Sequence, residues 1–226
     1  MKQLFDFHAI DMFPYAEGFV VVEKHDDEER KHINYKYFPL TPPSVTKPIS
    51  IQSFLNAKFR DNYASLESLV DNYLLEKALW LNDREIMLVS PIDGSAKIIS
   101  DNGTLLWQGF MLYRDEAPSG LEVKKDKIWA SYEGGNTLVR YSLKTIREEL
   151  RVGGPDDSVF DKPNGIWIEP LTNNMYVCNS GSQSVVKLEL DTFRVETCCT
   201  FEEPIRKYYI AGSRQYVLLD SGIYVI

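Results

Sequence analysis

The tightest constraint in this sequence is a spacing. Gly134, Leu138, Val139, Tyr141, Leu143 and Thr145 are answered by Gly181, Val185, Val186, Leu188, Leu190 and Thr192, each pair 47 positions apart. An offset held over six positions means that one supersecondary unit is used twice, and a unit of this size buries its apolar face only against a neighbour. The later copy, residues 162–195, divides into three short runs separated by polar turns; residues 120–148 share its layout. Within the copy, Leu188 and Leu190 face one way and Lys187 and Glu189 the other, the period of two that marks a strand.

Other stretches follow the same plan. From Ala78 to Gln108 four runs are separated by turns that include Asp93-Gly94 and Asn102-Gly103, dipeptides that accept positive φ, and Thr104 to Gln108 is expected as the outermost strand. Gly18 to Glu23 and Ile33 to Tyr37 read as a hairpin, with the charged run His25 to Lys31 as its solvated tip. The chain ends on three strands only: Lys207 to Ala211, Gln215 to Asp220 and Gly222 to Ile226. Leu4, Phe5, Phe7 and Ile10 supply a fourth from the other terminus, which removes an open sheet edge.

Counting central runs at Val20, Leu88, Trp129, Tyr176 and Val217 gives five units of about 45 residues. The expectation is therefore an all-β, five-bladed β-propeller, one domain over residues 1–226, closed by pairing of the N-terminal strand with the last blade. Residues 39–50 hold four prolines, which remove ladder donors, and are expected to connect units without joining a sheet. Residues 51–75 fit the repeat least; Phe54, Ala57, Leu66, Leu69 and Val70 suit a helix face, so a helical or irregular insertion is expected there.

Composition narrows the function. A net charge of −8 with no basic cluster argues against nucleic acid, which needs a concentrated positive field. No run approaches the roughly 18 apolar residues of a membrane span, and the first residues lack a signal-peptide core, so a cytoplasmic, monomeric protein is expected. Cys178, Cys198 and Cys199 have neither disulfide nor zinc spacing and are expected to be buried free thiols. His8, His25 and His32 lack metal-ligand spacing. Trp129 and Trp167 lie within β runs and are assigned to the core. Nucleophile elbows, phosphate loops and Cys/His clusters are all missing from the sequence, so no catalytic residue is assigned.

The segment KPNGIWIEPLTNNMYVCNSGSQSVVKLELD, residues 162–191, resembles a blade of the gluconolactonase and senescence-marker propellers and of NHL-repeat proteins, in which a PNG turn precedes a strand, a YV-type strand and a polar turn. The resemblance covers about two blades. In the lactonases a calcium ion is held by a Glu of an early E-G-P motif, an Asn of the PNG turn and an Asp of a later D-G motif. Ala16-Glu17-Gly18-Phe19 is similar to the first without its proline, and Pro163-Asn164-Gly165 matches the second. Ile210-Ala211-Gly212 stands where the family has its Asp, and the family has six blades.

Glu17 with Asn164 offers one formal charge, fewer than a divalent ion wants, so no metal and no cofactor is assigned. The reading is a non-catalytic binding or protein-interaction scaffold, with Glu17, Asn164, Asn179 and Asp220 as candidate ligand-binding residues. Its ligand is a protein or a small molecule. The alternative implied by the resemblance is a calcium-dependent lactone hydrolase.

Overall fold

Strands whose residues are apolar on both faces need cover on both faces, and that requirement organises the molecule. The computed structural model describes residues 1–27, 30–41, 46–48, 78–82, 84–90, 92–156 and 159–226. The first blade consists of β2 (Ala9–Tyr15), β3 (Gly18–Asp27), β4 (Arg30–Pro39) and β5 (Lys47–Pro48). The second holds β6 (Ala78–Asn82), β7 (Glu85–Val89), β8 (Ser95–Ser100) and β9 (Leu105–Phe110). The third runs β10 (Gly120–Lys124), β11 (Lys127–Tyr132), β12 (Thr137–Ser142) and β13 (Glu148–Gly153). The fourth runs β14 (Pro163–Ile168), β15 (Asn174–Asn179), β16 (Ser184–Glu189) and β17 (Val195–Thr200). The fifth takes β18 (Ile205–Ala211), β19 (Arg214–Leu219) and β20 (Gly222–Val225) and is completed by β1 (Lys2–Phe5). Five four-stranded antiparallel sheets in a ring make the chain a five-bladed β-propeller, and no helix occurs among the described residues.

Burial follows position in the blade. In β15 every residue after Asn174 is buried, because blades pack on both of its faces, whereas outer β17 is exposed at most positions. Trp167, Tyr176 and Cys178 of blade four meet Tyr208, Tyr209 and Val217 of blade five, which in turn meet Ala9, Met12 and Phe19 of blade one. Met87, Val89 and Ile98 likewise meet Ile128, Ala130 and Val139 between blades two and three. Trp129 and Trp167 are buried, as expected of core rings.

The ring closes as expected but with a shorter strand. Lys2, Gln3 and Phe5 pair with Val225, Tyr224 and Ile223. Phe7 is exposed in the following turn and Ile10 already belongs to β2, because the chain must leave blade five before it starts blade one. The proline-rich segment also departs from expectation, since Lys47–Pro48 forms the outermost strand of blade one against Lys36 and Tyr37. A proline is tolerated there because an edge strand needs hydrogen bonds on one side only. The charged run begun by His25 is mostly ladder, with Asp26 opposite Lys31 and Asp27 opposite Arg30. Residues 51–75 lie outside the described residues.

The turn glycines behave as read: Gly94 and Gly103 take φ of 67° and 81°. All three cysteines are free thiols, but Cys198 is exposed and Cys199 partly so, because the outer strand β17 has no blade over it.

Candidate ligand site

Each inner strand starts at one end of the central channel and finishes at the other. Its third residue is Asp11 in β2, Glu122 in β10, Gly165 in β14 and Lys207 in β18. Three of these four are charged, and they lie inside the ring. Lys207 Nζ stands 3.5 Å from Asp11 Oδ1, which also accepts the Met12 N–H at 2.8 Å. Asp11 Oδ2 is buried without a partner among the described residues. Loss of solvent pulls the Lys207 ammonium down, but the Asp11 carboxylate and the Tyr209 and Glu122 groups outweigh it and the net direction is up. Burial pushes Glu122 up to about 8 against the opposing pull of Lys207. The Tyr209 hydroxyl, held high by burial, donates to the Met12 carbonyl at 3.2 Å.

At the end where inner strands begin, a polar chamber of about 290 Å³ is lined by Asp11, Ser119, Asn164, Arg206 and Lys207, among others. Asn164 is the second residue of β14 and lies within the strand, so the PNG sequence is not a turn; the ladder slips between Pro163 and Ile166. Its carboxamide donates to Glu133 and its carbonyl accepts from the Ser131 hydroxyl, which fastens blade four to blade three. The glycine that follows has a separate reason. A Cβ on Gly165 would sit 1.9 Å from the Arg206 carbonyl oxygen, so only glycine lets β14 run this close to β18.

Asn179 and Asp220, at the ends of the second strands, lie at this same end but not in the chamber. Asn179 is buried opposite Pro163 and donates to the Val159 carbonyl at 3.5 Å, and its Oδ1 has no partner among the described residues. Asp220 Oδ1 accepts two guanidinium donors of Arg206, each at 2.8 Å, and so orients a side chain that does line the chamber.

Glu17 is at the other end. It occupies the turn after β2, and the four extended steps from Asp11 to Tyr15 alone cover roughly 13 Å. Two ligands of one calcium ion lie within roughly 5 Å of each other, so Glu17 and Asn164 cannot share an ion. Among the described residues no group of three or more His, Cys, Asp or Glu is placed to hold a metal.

The surroundings of Glu17 form the larger cavity, a groove of about 670 Å³ between blades four, five and one. Phe19, Trp167, Tyr209 and Tyr216 make its floor. Their rings are interlocked: Phe19 lies 4.9 Å from Tyr216 and 5.5 Å from Tyr209, and Trp167 lies 5.8 Å from Tyr209. Glu17, from the β2–β3 turn, and Arg214, the first residue of β19, bring the two formal charges to the rim, and both are exposed. Among the described residues neither side chain has an ion-pair or hydrogen-bond partner. Of these two charged residues the sequence reading names Glu17 and not Arg214, which no motif marks. It also missed the channel charges, which lie far apart in the sequence on three different strands.

No protein-family profile matches the chain, and no curated protein sequence does. Solved structures do. Virginiamycin B lyase from Staphylococcus aureus is 10% identical over 95% of this chain and 64% of its own, with a TM-score of 0.52. A chain of a nidogen/laminin complex is 8% identical over 96% of this chain and 72% of its own, with a TM-score of 0.52. The computationally designed Ika8 protein is 9% identical over 95% of this chain and 56% of its own, with a TM-score of 0.50. The chain thus spans less than two thirds of the lyase and of Ika8. At these identities the likeness is one of fold.

Proposed function

We propose that the protein is a non-catalytic binding scaffold of propeller type that holds its ligand in the groove at the Glu17 end of the channel. The observation that carries this reading is the groove itself. About 670 Å³ lined by buried aromatic rings, with a few polar groups at the rim, is the construction of a small-ligand site. Three blades contribute to it, so the ring holds its walls in place without a ligand. In this reading Glu17 contributes to binding, while Asn164, Asn179 and Asp220 fasten joints around the opposite mouth.

The calcium-dependent lactone hydrolase is the competing reading, and the distance between Glu17 and Asn164 weighs against it. Two measurements separate them. Indole, as an uncharged aromatic probe, is titrated by calorimetry into wild type and into Ala211→Trp, which fills the groove. Saturable binding to one site, lost in the filled variant, is expected; indole that fails to saturate, or that binds the variant equally, removes the groove reading. Melting is then followed with and without millimolar calcium. No shift is expected, and a rise that disappears in Glu17→Gln would favour the hydrolase, because a ligand bound only to the folded state must stabilise it.

A further inference from the structure

The groove combines an apolar floor with two opposite charges that no described residue answers. Glu17, in the β2–β3 turn of blade one, and Arg214, at the start of β19 in blade five, both line the groove, and among the described residues neither side chain has a partner across it or elsewhere. Two opposite charges lining one groove would ordinarily be brought together as an ion pair if their role were to fasten the turns, as Arg206 and Asp220 are at the opposite end. The same groove is lined by the buried rings of Phe19, Tyr209 and Tyr216 and by the Trp167 indole. A ligand complementary to this arrangement has an apolar body and carries an ammonium at one end and a carboxylate at the other.

We infer that the groove takes a short apolar peptide with both termini free, its amino terminus against Glu17 and its carboxylate against Arg214. The inference rests on the groove reading above and deepens it. Size favours a peptide over a single amino acid: the lining reaches from the β2–β3 turn across β14 to the β18–β19 turn, and the charges stand on separate blades. A peptide of two or three residues separates its charges by its own length, which a free amino acid cannot do. Capture of a free peptide terminus is a recurring mode of peptide recognition. The guanidinium suits the terminal carboxylate because its planar fork matches it in bidentate geometry.

The test uses one body in several charge states, so that the protein is not the only thing varied. The dipeptide Leu-Trp, its N-acetyl form, its C-terminal amide and the doubly blocked form are titrated by calorimetry into wild type, Glu17→Gln and Arg214→Gln. Free tryptophan is included. Both substituted residues are exposed, Glu17 in a turn and Arg214 at the start of a strand, and melting curves check that the variants fold. Leu-Trp is expected to bind wild type tightest. Glu17→Gln should weaken Leu-Trp on the order of tenfold and leave the N-acetyl form unchanged. Arg214→Gln should weaken Leu-Trp by a similar factor and leave the amide unchanged. Equal affinities for all four dipeptide forms would overturn the inference and leave the groove reading standing. Free tryptophan binding as tightly as Leu-Trp, with the same response to both variants, would also overturn it by removing the need for a peptide. Failure of every compound, the doubly blocked form included, sinks the groove reading itself.

Discussion

A carboxyl group inside a protein channel reports on its surroundings through its proton. Glu122 is held up to about 8 from an ordinary 4.5, first by loss of solvent and with Lys207 opposing. The folded state therefore prefers the protonated form. The stability linked to this residue is full below the ordinary carboxylate value and is lost as pH rises towards 8, because the unfolded chain ionises first. Glu122→Gln is expected to remove that loss: wild type should weaken between pH 5 and pH 8 relative to the variant, and at pH 8 the variant should be the more stable. The gain should be on the order of 1–3 kcal/mol, read from urea unfolding at the two pH values. A variant that tracks wild type at both would show that Glu122 is ordinarily solvated. Chain order hides this group of residues. Asp11, Glu122 and Lys207 are distant in sequence and belong to strands that look like any half-buried strand; only the ring brings their third positions together.

Between elements the informative residues are those that permit approach. Gly165 was read from the sequence as half of a turn signal, and that signal points correctly to a glycine but for the wrong reason. Its place is in β14, where the Arg206 carbonyl oxygen occupies the space a Cβ would need. Gly165→Ala is expected to push β14 and β18 apart and cost on the order of 2–4 kcal/mol in chemical unfolding, more than the roughly 1–3 kcal/mol of ordinary overpacking because the obstacle is backbone. A loss below about 0.5 kcal/mol, the range of a neutral surface change, would mean that the two strands are not packed this closely. Strand identity was legible because a blade repeats: the 47-residue offset and the alternation around Leu188 and Leu190 survive in the structure as β12 and β16. What the period does not encode is where pairing stops. Lys47–Pro48 joined a sheet although prolines argue against strands, since the penalty falls only on the side that has no neighbour.

At the scale of the whole ring the question is what closes it, and the answer decides how the molecule fails. Blade five receives its outer strand from the amino terminus: Lys2 pairs with Val225, Gln3 with Tyr224 and Phe5 with Ile223. The tie reaches past the ladder, because Phe5 meets the Phe38 ring of blade one at 5.7 Å and the Gln3 carboxamide donates to the Ser221 carbonyl at 3.1 Å. Contacts that join the two termini have the greatest possible sequence separation, so forming them costs the most chain entropy, and once formed they prevent the first and last blades from drifting apart. The repeat made a ring legible in the sequence, and the three-strand ending made its closure legible. The cavities were not, because they depend on which turns meet around the channel. Deleting residues 1–5 should leave β20 as an unpaired edge and loosen the blade-five to blade-one joint. The truncated chain is expected to melt several degrees lower and to aggregate with β20 exposed. Adding a synthetic peptide of residues 1–8 should restore part of the melting temperature, because a strand supplied in trans can occupy the same ladder. A truncated chain that stays monomeric with unchanged melting, whether or not the peptide is present, would show that the ring is held by its inner blade contacts alone and that β1 is not its clasp.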